Sequence, residues 1–359
     1  MNELPSALLA ETLRTPARIA SDSVPWEALI ASAREADLLA TLAARIGTSA
    51  GLDSVPPAPR AHLVAAGHRC RAQHAVVRRE AFEIARALAP LATPVILLKG
   101  AAYLMAGLPP AQGRLFSDID ILVPKARLPD VESALMLGGF ATTHLHPYDQ
   151  RYYRRWMHEL PPMQHVKRLT ILDVHHTIVP ETAGVALDAG ALFRAALPLA
   201  QAPPFAVLSP CDMVLHSATH LFHNEELSHG LRDLVDLDAL LAHFGGEGRA
   251  FWRPLVARAG ELDLGRPLYY ALRFTSRLLG TQVPADVVAD VARYAPVAPV
   301  AALMDRLLDA ALQPAAASPA TRWARRAMYV RGHWLKMPVP LLAWHLTYKA
   351  LRRDEEEPA

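Results

Sequence analysis

The sequence predicts an α+β protein, with a mixed sheet core near residues 91–182 and helical regions before and after it. Three observations carry this. On either side of the core, apolar residues recur at three- and four-residue steps, the period of a helix with one buried face. Inside it, "PVILLKG" is a compact apolar run ended by glycine, as in a strand covered on both faces. "FSDIDILVP" and "LTILDVHHTIV" are two further strand candidates, the first stopped by Pro124.

Taken in order, "PWEALIASAREADLLATLAARIG" (25–47) reads as helix and ends on Gly47, a usual stop. "SVPPAP" (54–59) is a linker, and 60–90 is a second, longer helical stretch. After the first strand, "AAYLMAG" is a short helix. "LPDVESALMLGGF" is another, closed by Gly138-Gly139. From Ser209 the chain returns to helix: Ser209 as N-cap, Pro210 in the first turn and Asp212 three residues after the cap form a start signal. "CDMVLHSATHLFHNEELSHGLRDLVDLDALLAHFGG" holds one helix or two. The expected organisation is a helical region over 1–90, the α/β core over 91–182, a helical region over 205–353 and a disordered tail over 354–359.

Composition narrows the class. The chain of 359 residues is 52% hydrophobic and 20% charged, an ordinary globular balance, and its formal charge of +2 argues against wholesale nucleic-acid binding. Cys70 and Cys211 lie far apart with no metal-type spacing, as expected of buried thiols in a reducing compartment. "MNELPSALLAETLRTP" lacks a basic start and a cleavage site. The best membrane candidate, "MPVPLLAWHLTY" (337–348), is too short and carries two prolines. A cytoplasmic protein with no integral membrane association is expected.

Chemistry concentrates in the strands. Alternate strand residues share a face, so Asp118 and Asp120 point one way and Ile119, Ile121 and Val123 the other. Ile171, Asp173 and His175 likewise share a face. If the two strands are neighbours, three carboxylates converge and repel one another unless a cation sits between them. Mg²⁺ or Mn²⁺, which prefer oxygen ligands, are the natural candidates. Two such ions about 4 Å apart can hold a triphosphate and activate a hydroxyl. The Lys99-Gly100 turn, leading into a helix, offers backbone N–H groups and a point charge for phosphates.

At these residues the chain resembles the nucleotidyltransferase superfamily that includes DNA polymerase β and the aminoglycoside nucleotidyltransferases. Within it, "LLKG…GR…SDIDILV…LDVHH", followed by "HSATHLFH…LRDLVDL", is most similar to an uncharacterised nucleotidyltransferase family with L-K-G in place of the usual G-S turn. The resemblance spans roughly residues 85–250. It implies a polymerase β-like core, metal roles for Asp118 and Asp120, a third-carboxylate role for Asp173, and phosphate binding around Lys99-Gly100. Here Gly100-Ala101 replaces the usual serine, which removes one hydroxyl contact to phosphate.

Other polar residues have weaker signals. Ser117 and Arg114 precede the D-x-D and are expected, with Lys99 and Gly100, on the nucleotide, where Arg114 could meet a phosphate or brace a carboxylate. His175 could orient Asp173 or touch substrate, or be a structural histidine. His216, His220 and His223 fall on one helix face, suited to a pocket wall or helix–helix bonds, or to zinc. Arg232 and Asp236 read as an i, i+4 ion pair, with a pocket role open. The basic, tryptophan-bearing C-terminal segment fits a closing helix or an anionic surface.

The expected function is metal-dependent transfer of a nucleoside monophosphate from ATP or another NTP to a hydroxyl or phosphate, with pyrophosphate released. The acceptor (small molecule, peptide, protein or RNA) is not named by the sequence. The alternatives are a non-catalytic nucleotide-binding or scaffold protein, and a toxin-like protein or tRNA nucleotidyltransferase.

Overall fold

Val95-Ile96-Leu97-Leu98 has no polar side to give to solvent, so its stable place is inside a covered sheet. In a computed structural model of the chain it is strand β1 (Val95–Leu98), buried at all four positions. The structure describes residues 5–20, 24–143, 146, 150, 153–154, 157–223, 226–246, 248, 250–313 and 318–337. The tail at 354–359 and nearly all of 337–348 lie outside the described residues.

β2 (Ile119–Leu122) is the D-x-D strand. Five more strands are described: β3 (Phe140–Thr142), β4 (Met163–His165), β5 (Ile171–His175), β6 (Leu197–Pro198) and β7 (Phe205–Val207). They form one sheet in the order β3-β4-β5-β2-β1-β7-β6. β5 is parallel to β2 and β7 to β1, while the remaining pairs are antiparallel. The three strands expected from sequence are therefore its contiguous centre. The sheet also takes in residues 205–207, at the opening of the stretch read as helical C-terminal region.

Four helices precede the sheet: α1 (Pro5–Arg14), α2 (Trp26–Glu35), α3 (Leu39–Ser49) and α4 (Pro57–Leu88). The single helix expected over 25–47 is thus two. It breaks at Asp37, whose φ of +60° lies in the left-handed region that Asp tolerates better than most residues. α5 (Lys99–Met105), α6 (Leu128–Leu137) and α7 (Ala189–Ala195) are interleaved with the strands. α8 (Pro210–His223) and α9 (Gly230–Gly246) follow. The Ser209 hydroxyl accepts the N–H of Asp212 at 3.3 Å, so the expected helix start forms. Asp212 is fully buried and takes two bonds from Arg258, at 2.7 and 3.0 Å.

The chain continues through α10 (Trp252–Glu261), α11 (Gly265–Phe274), α12 (Ala285–Val291), α13 (Ala298–Ala311) and α14 (Pro319–Lys336). Among the described residues no single helix is long and apolar enough to cross a membrane.

The segment that delivers Asp118 is anchored before β2 begins. Gly113, at φ +82°, passes so close to α3 that a Cβ there would stand 2.4 Å from the Thr41 backbone. The Thr41 hydroxyl donates to the Gly113 carbonyl at 3.2 Å. On α4, the Gln73 amide donates to the Phe116 carbonyl at 2.7 Å and accepts the Phe116 N–H at 2.9 Å. His74 Nε2 lies 2.8 Å from the Arg114 carbonyl.

Candidate active site

Parallel pairing sets Asp120 directly opposite Asp173, and Asp118 lies two residues back on the same face as Asp120. Asp120 is 3% exposed, in the middle of a strand buried throughout. Lys99, one residue past β1, donates from Nζ to Asp120 Oδ1 at 2.8 Å. Its backbone sits at φ +45°, a left-handed conformation that costs a lysine energy and that clusters at functional sites. His175 Nε2 reaches the same Oδ1 at 3.0 Å, and its Nδ1 stands 3.2 Å from Glu159 Oε2. A chain of groups therefore runs Lys99–Asp120–His175–Glu159.

Environment separates the three aspartates. Burial would raise Asp120, but the charge of Lys99 and the hydrogen bonds from His175 and Lys99 outweigh it. They hold Asp120 well below the usual carboxylate range. Asp173 has no such cation: burial, then the charges of Asp120 and Glu159, push it up to about 7. Asp118 is also raised, by burial and by Asp120. Asp173 Oδ1 is buried with no hydrogen-bond partner. Buried oxygens are rarely left so, and the three carboxylates, one of them carrying this orphaned oxygen, are donors of the hard kind that a divalent cation prefers.

Lys99, Asp118, Asp173 and His175, but not Asp120, line a cleft of about 620 Å³ together with further imidazoles. His216, His220 and His223 all line it, so the helix face read from their spacing is a cleft wall. Burial keeps them neutral: His216 is lowered to about 3, His223 to about 4, and His220 well below its ordinary value. Among the described residues, the His, Cys, Asp and Glu side chains whose ligand atoms gather within 4.8 Å of one another are His158, Glu159 and His175, and neither the three aspartates nor the α8 histidines form such a group.

Sequence reasoning passed over His158 and Glu159. They sit in "MHELPP", which has no strand or helix period, and the one signal was a His-Glu pair beside two prolines.

Other sequence-picked residues lie elsewhere. Gly100, Arg114 and Ser117 do not line the cleft. Gly100 serves packing: a Cβ there would come 2.4 Å from the Phe116 ring and 2.9 Å from Arg114 Nε. Ser117, next to Asp118, partly offsets the burial that raises that carboxyl. Arg114 is 8% exposed and its guanidinium is bound by Asp236, with Asp233 at 3.9 Å. This corrects the expected Arg232–Asp236 pair. Arg232 instead meets Asp37 at 3.3 Å and Asp233 at 3.2 Å, because Asp236 faces inward to Arg114.

A family model described as an uncharacterised nucleotidyltransferase matches residues 22–280, the span that contains every described strand and every carboxylate of this site. No curated protein and no solved structure matches the chain.

Proposed function

Because the chain belongs to this uncharacterised nucleotidyltransferase family, we propose that it moves a nucleoside monophosphate from an NTP to an acceptor hydroxyl or phosphate, on a polymerase β-like core. The observation that carries the reading is the facing pair Asp120 and Asp173, with Asp118 beside them and a buried, unpartnered oxygen on Asp173.

Asp118, Asp120 and Asp173 would hold Mg²⁺ or Mn²⁺, which when bound supplies Lewis acidity at the α-phosphate and offsets the repulsion among the carboxylates. Lys99 and His175 fix Asp120 in its ionised form and in one orientation, both bonds ending on Oδ1. Lys99 adds positive charge at the cleft edge for the departing pyrophosphate. Asp173, opposite Asp120 and lining the cleft, would complete the site that activates the acceptor and take its proton. The cleft volume is of the size that takes small molecules, and its neutral imidazoles suit an acceptor that presents hydroxyls.

The test is a thermal-shift panel of the four NTPs with and without Mg²⁺, followed by pyrophosphate release. The variants are wild type and Asp118→Asn/Asp173→Asn, which spares the Lys99–Asp120–His175 bonds. One NTP should stabilise wild type only with Mg²⁺, by about 2.7 kcal/mol at a hundredfold excess over Kd, and the double variant should lose this. A folded wild type indifferent to every NTP would overturn the proposal.

A further inference from the structure

His158 and Glu159 enter the cleft from outside β2 and β5, on a segment zipped to β5 by backbone bonds. The His176 N–H donates to the His158 carbonyl at 2.9 Å and the Leu160 N–H to the Val174 carbonyl at 2.8 Å, with Glu159 bridged to His175. One ring nitrogen of His158, one of His175 and one Glu159 oxygen lie within 4.8 Å of one another. The two rings stack, with centroids 5.2 Å apart at 25°. Nδ1 of His158 is buried and has no hydrogen-bond partner, an uncommon state for a buried polar atom.

His175 completes the pattern. Its Nδ1 faces Glu159 at 3.2 Å and its Nε2 faces the Asp120 carboxylate at 3.0 Å. An imidazole that turns one nitrogen to a ligand set and gives the other N–H to a carboxylate is held as metal-binding histidines usually are.

We propose that His158, Glu159 and His175 form a site for one Zn²⁺-class ion, separate from the carboxylate triad. Two imidazoles and one carboxylate favour zinc and its first-row neighbours over Mg²⁺, which prefers oxygen throughout. Three protein ligands on a cleft wall leave a coordination position open to water or substrate. Binding displaces the proton between His175 Nδ1 and Glu159, which leaves to solvent. The competing account is that His175 merely bridges two carboxylates as an imidazolium and the three side chains hold no ion.

The full chain, stripped by dialysis against a chelator, is titrated with Zn²⁺ and, separately, with Co²⁺ followed by visible absorbance. Bound zinc is counted by elemental analysis after gel filtration. The site predicts one ion per chain and the intense bands of low-coordinate Co²⁺. His158→Gln should weaken binding by about 100-fold, whereas Asp118→Asn/Asp173→Asn should leave it in place. Failure of wild type to retain an ion, or binding that survives His158→Gln and disappears with the two aspartates, overturns the proposal. Circular dichroism checks that each variant folds. Should His158→Gln fail to fold, X-ray absorption of zinc-loaded wild type decides: two imidazoles in the shell support the site and an all-oxygen shell refutes it. Mg²⁺-dependent NTP binding is read independently, so a chain that binds NTP but no zinc refutes this site alone.

Discussion

Replacing Asp236 by Leu should damage the protein far more than replacing its partner Arg114 by Met. Both groups are buried and hydrogen-bonded to each other across 122 residues of sequence. Removing one member of a buried pair costs about 3–5 kcal/mol, because the survivor keeps its desolvation penalty without compensation. The survivors differ. With Asp236 gone, Arg114 cannot shed its proton, has Asp233 only at 3.9 Å, and already carries a buried Nε without a partner. A loss of about 3–5 kcal/mol should appear, because the Arg114 charge persists at pH 5.5 and 8.5 alike.

With Arg114 gone, burial and the charge of Asp233 push Asp236 further up against the charge of Arg232 alone, and its carboxyl takes a proton instead. Its folded pKa, already raised to about 7 in the wild type, then lies further above the unfolded value. The folded state binds the extra proton, so the Arg114→Met protein is favoured at low pH and loses stability as pH rises. Joining both changes should return most of the loss, since an apolar pair of similar volume replaces the ions about neutrally. Urea unfolding of the four proteins at pH 5.5 and 8.5 gives the cycle. Asp236→Leu within about 1 kcal/mol of wild type, or a double variant no better than the worse single one, would refute the reasoning.

Gly100→Val should destabilise by about 1–3 kcal/mol, since its side chain would enter the space of Phe116 and Arg114. A thermal melt unchanged from wild type would count against that packing. Gln73→Leu removes both bonds to the Phe116 backbone and should cost about 2–3 kcal/mol. It should also slow pyrophosphate release, and a full-rate enzyme would separate that clamp from the site. His216 and His223, held at about 3 and about 4, stay neutral while the unfolded chain protonates near its ordinary value. The unfolded state then binds more protons, so stability should fall as pH drops from about 6.5 toward 4, by at most about 1.4 kcal/mol per pH unit for each histidine. Asn at position 223 should flatten this slope in urea midpoints measured across the range.

β1, β2 and β5 were legible because strands covered on both faces leave long apolar runs, and alternation alone put Asp118 and Asp120 on one face. That Asp173 faces Asp120 needed one further step, the adjacency of two strands, and the pairing bears it out. β3, β4, β6 and β7 are only two or three residues long, too short to show a period. Arg232 and Asp236 misled because i, i+4 spacing describes a helix surface, whereas Asp236 is buried against a residue from another region. The His-Glu pair at 158–159 gains its place only through backbone pairing with β5, a contact that no local pattern announces.

The loop from Gly113 to Phe116 is held by Thr41 and Gln73 on one flank and by Asp236 on the other. Its carboxylate-bearing neighbour therefore has no free-standing module to travel in. Grafting the sheet alone onto another scaffold would transplant the aspartates without the clamps that aim them. Natural variation should follow the same constraint: a change at Gln73 or Asp236 is tolerated only when the loop changes with it, so three stretches far apart in the chain are inherited as one unit.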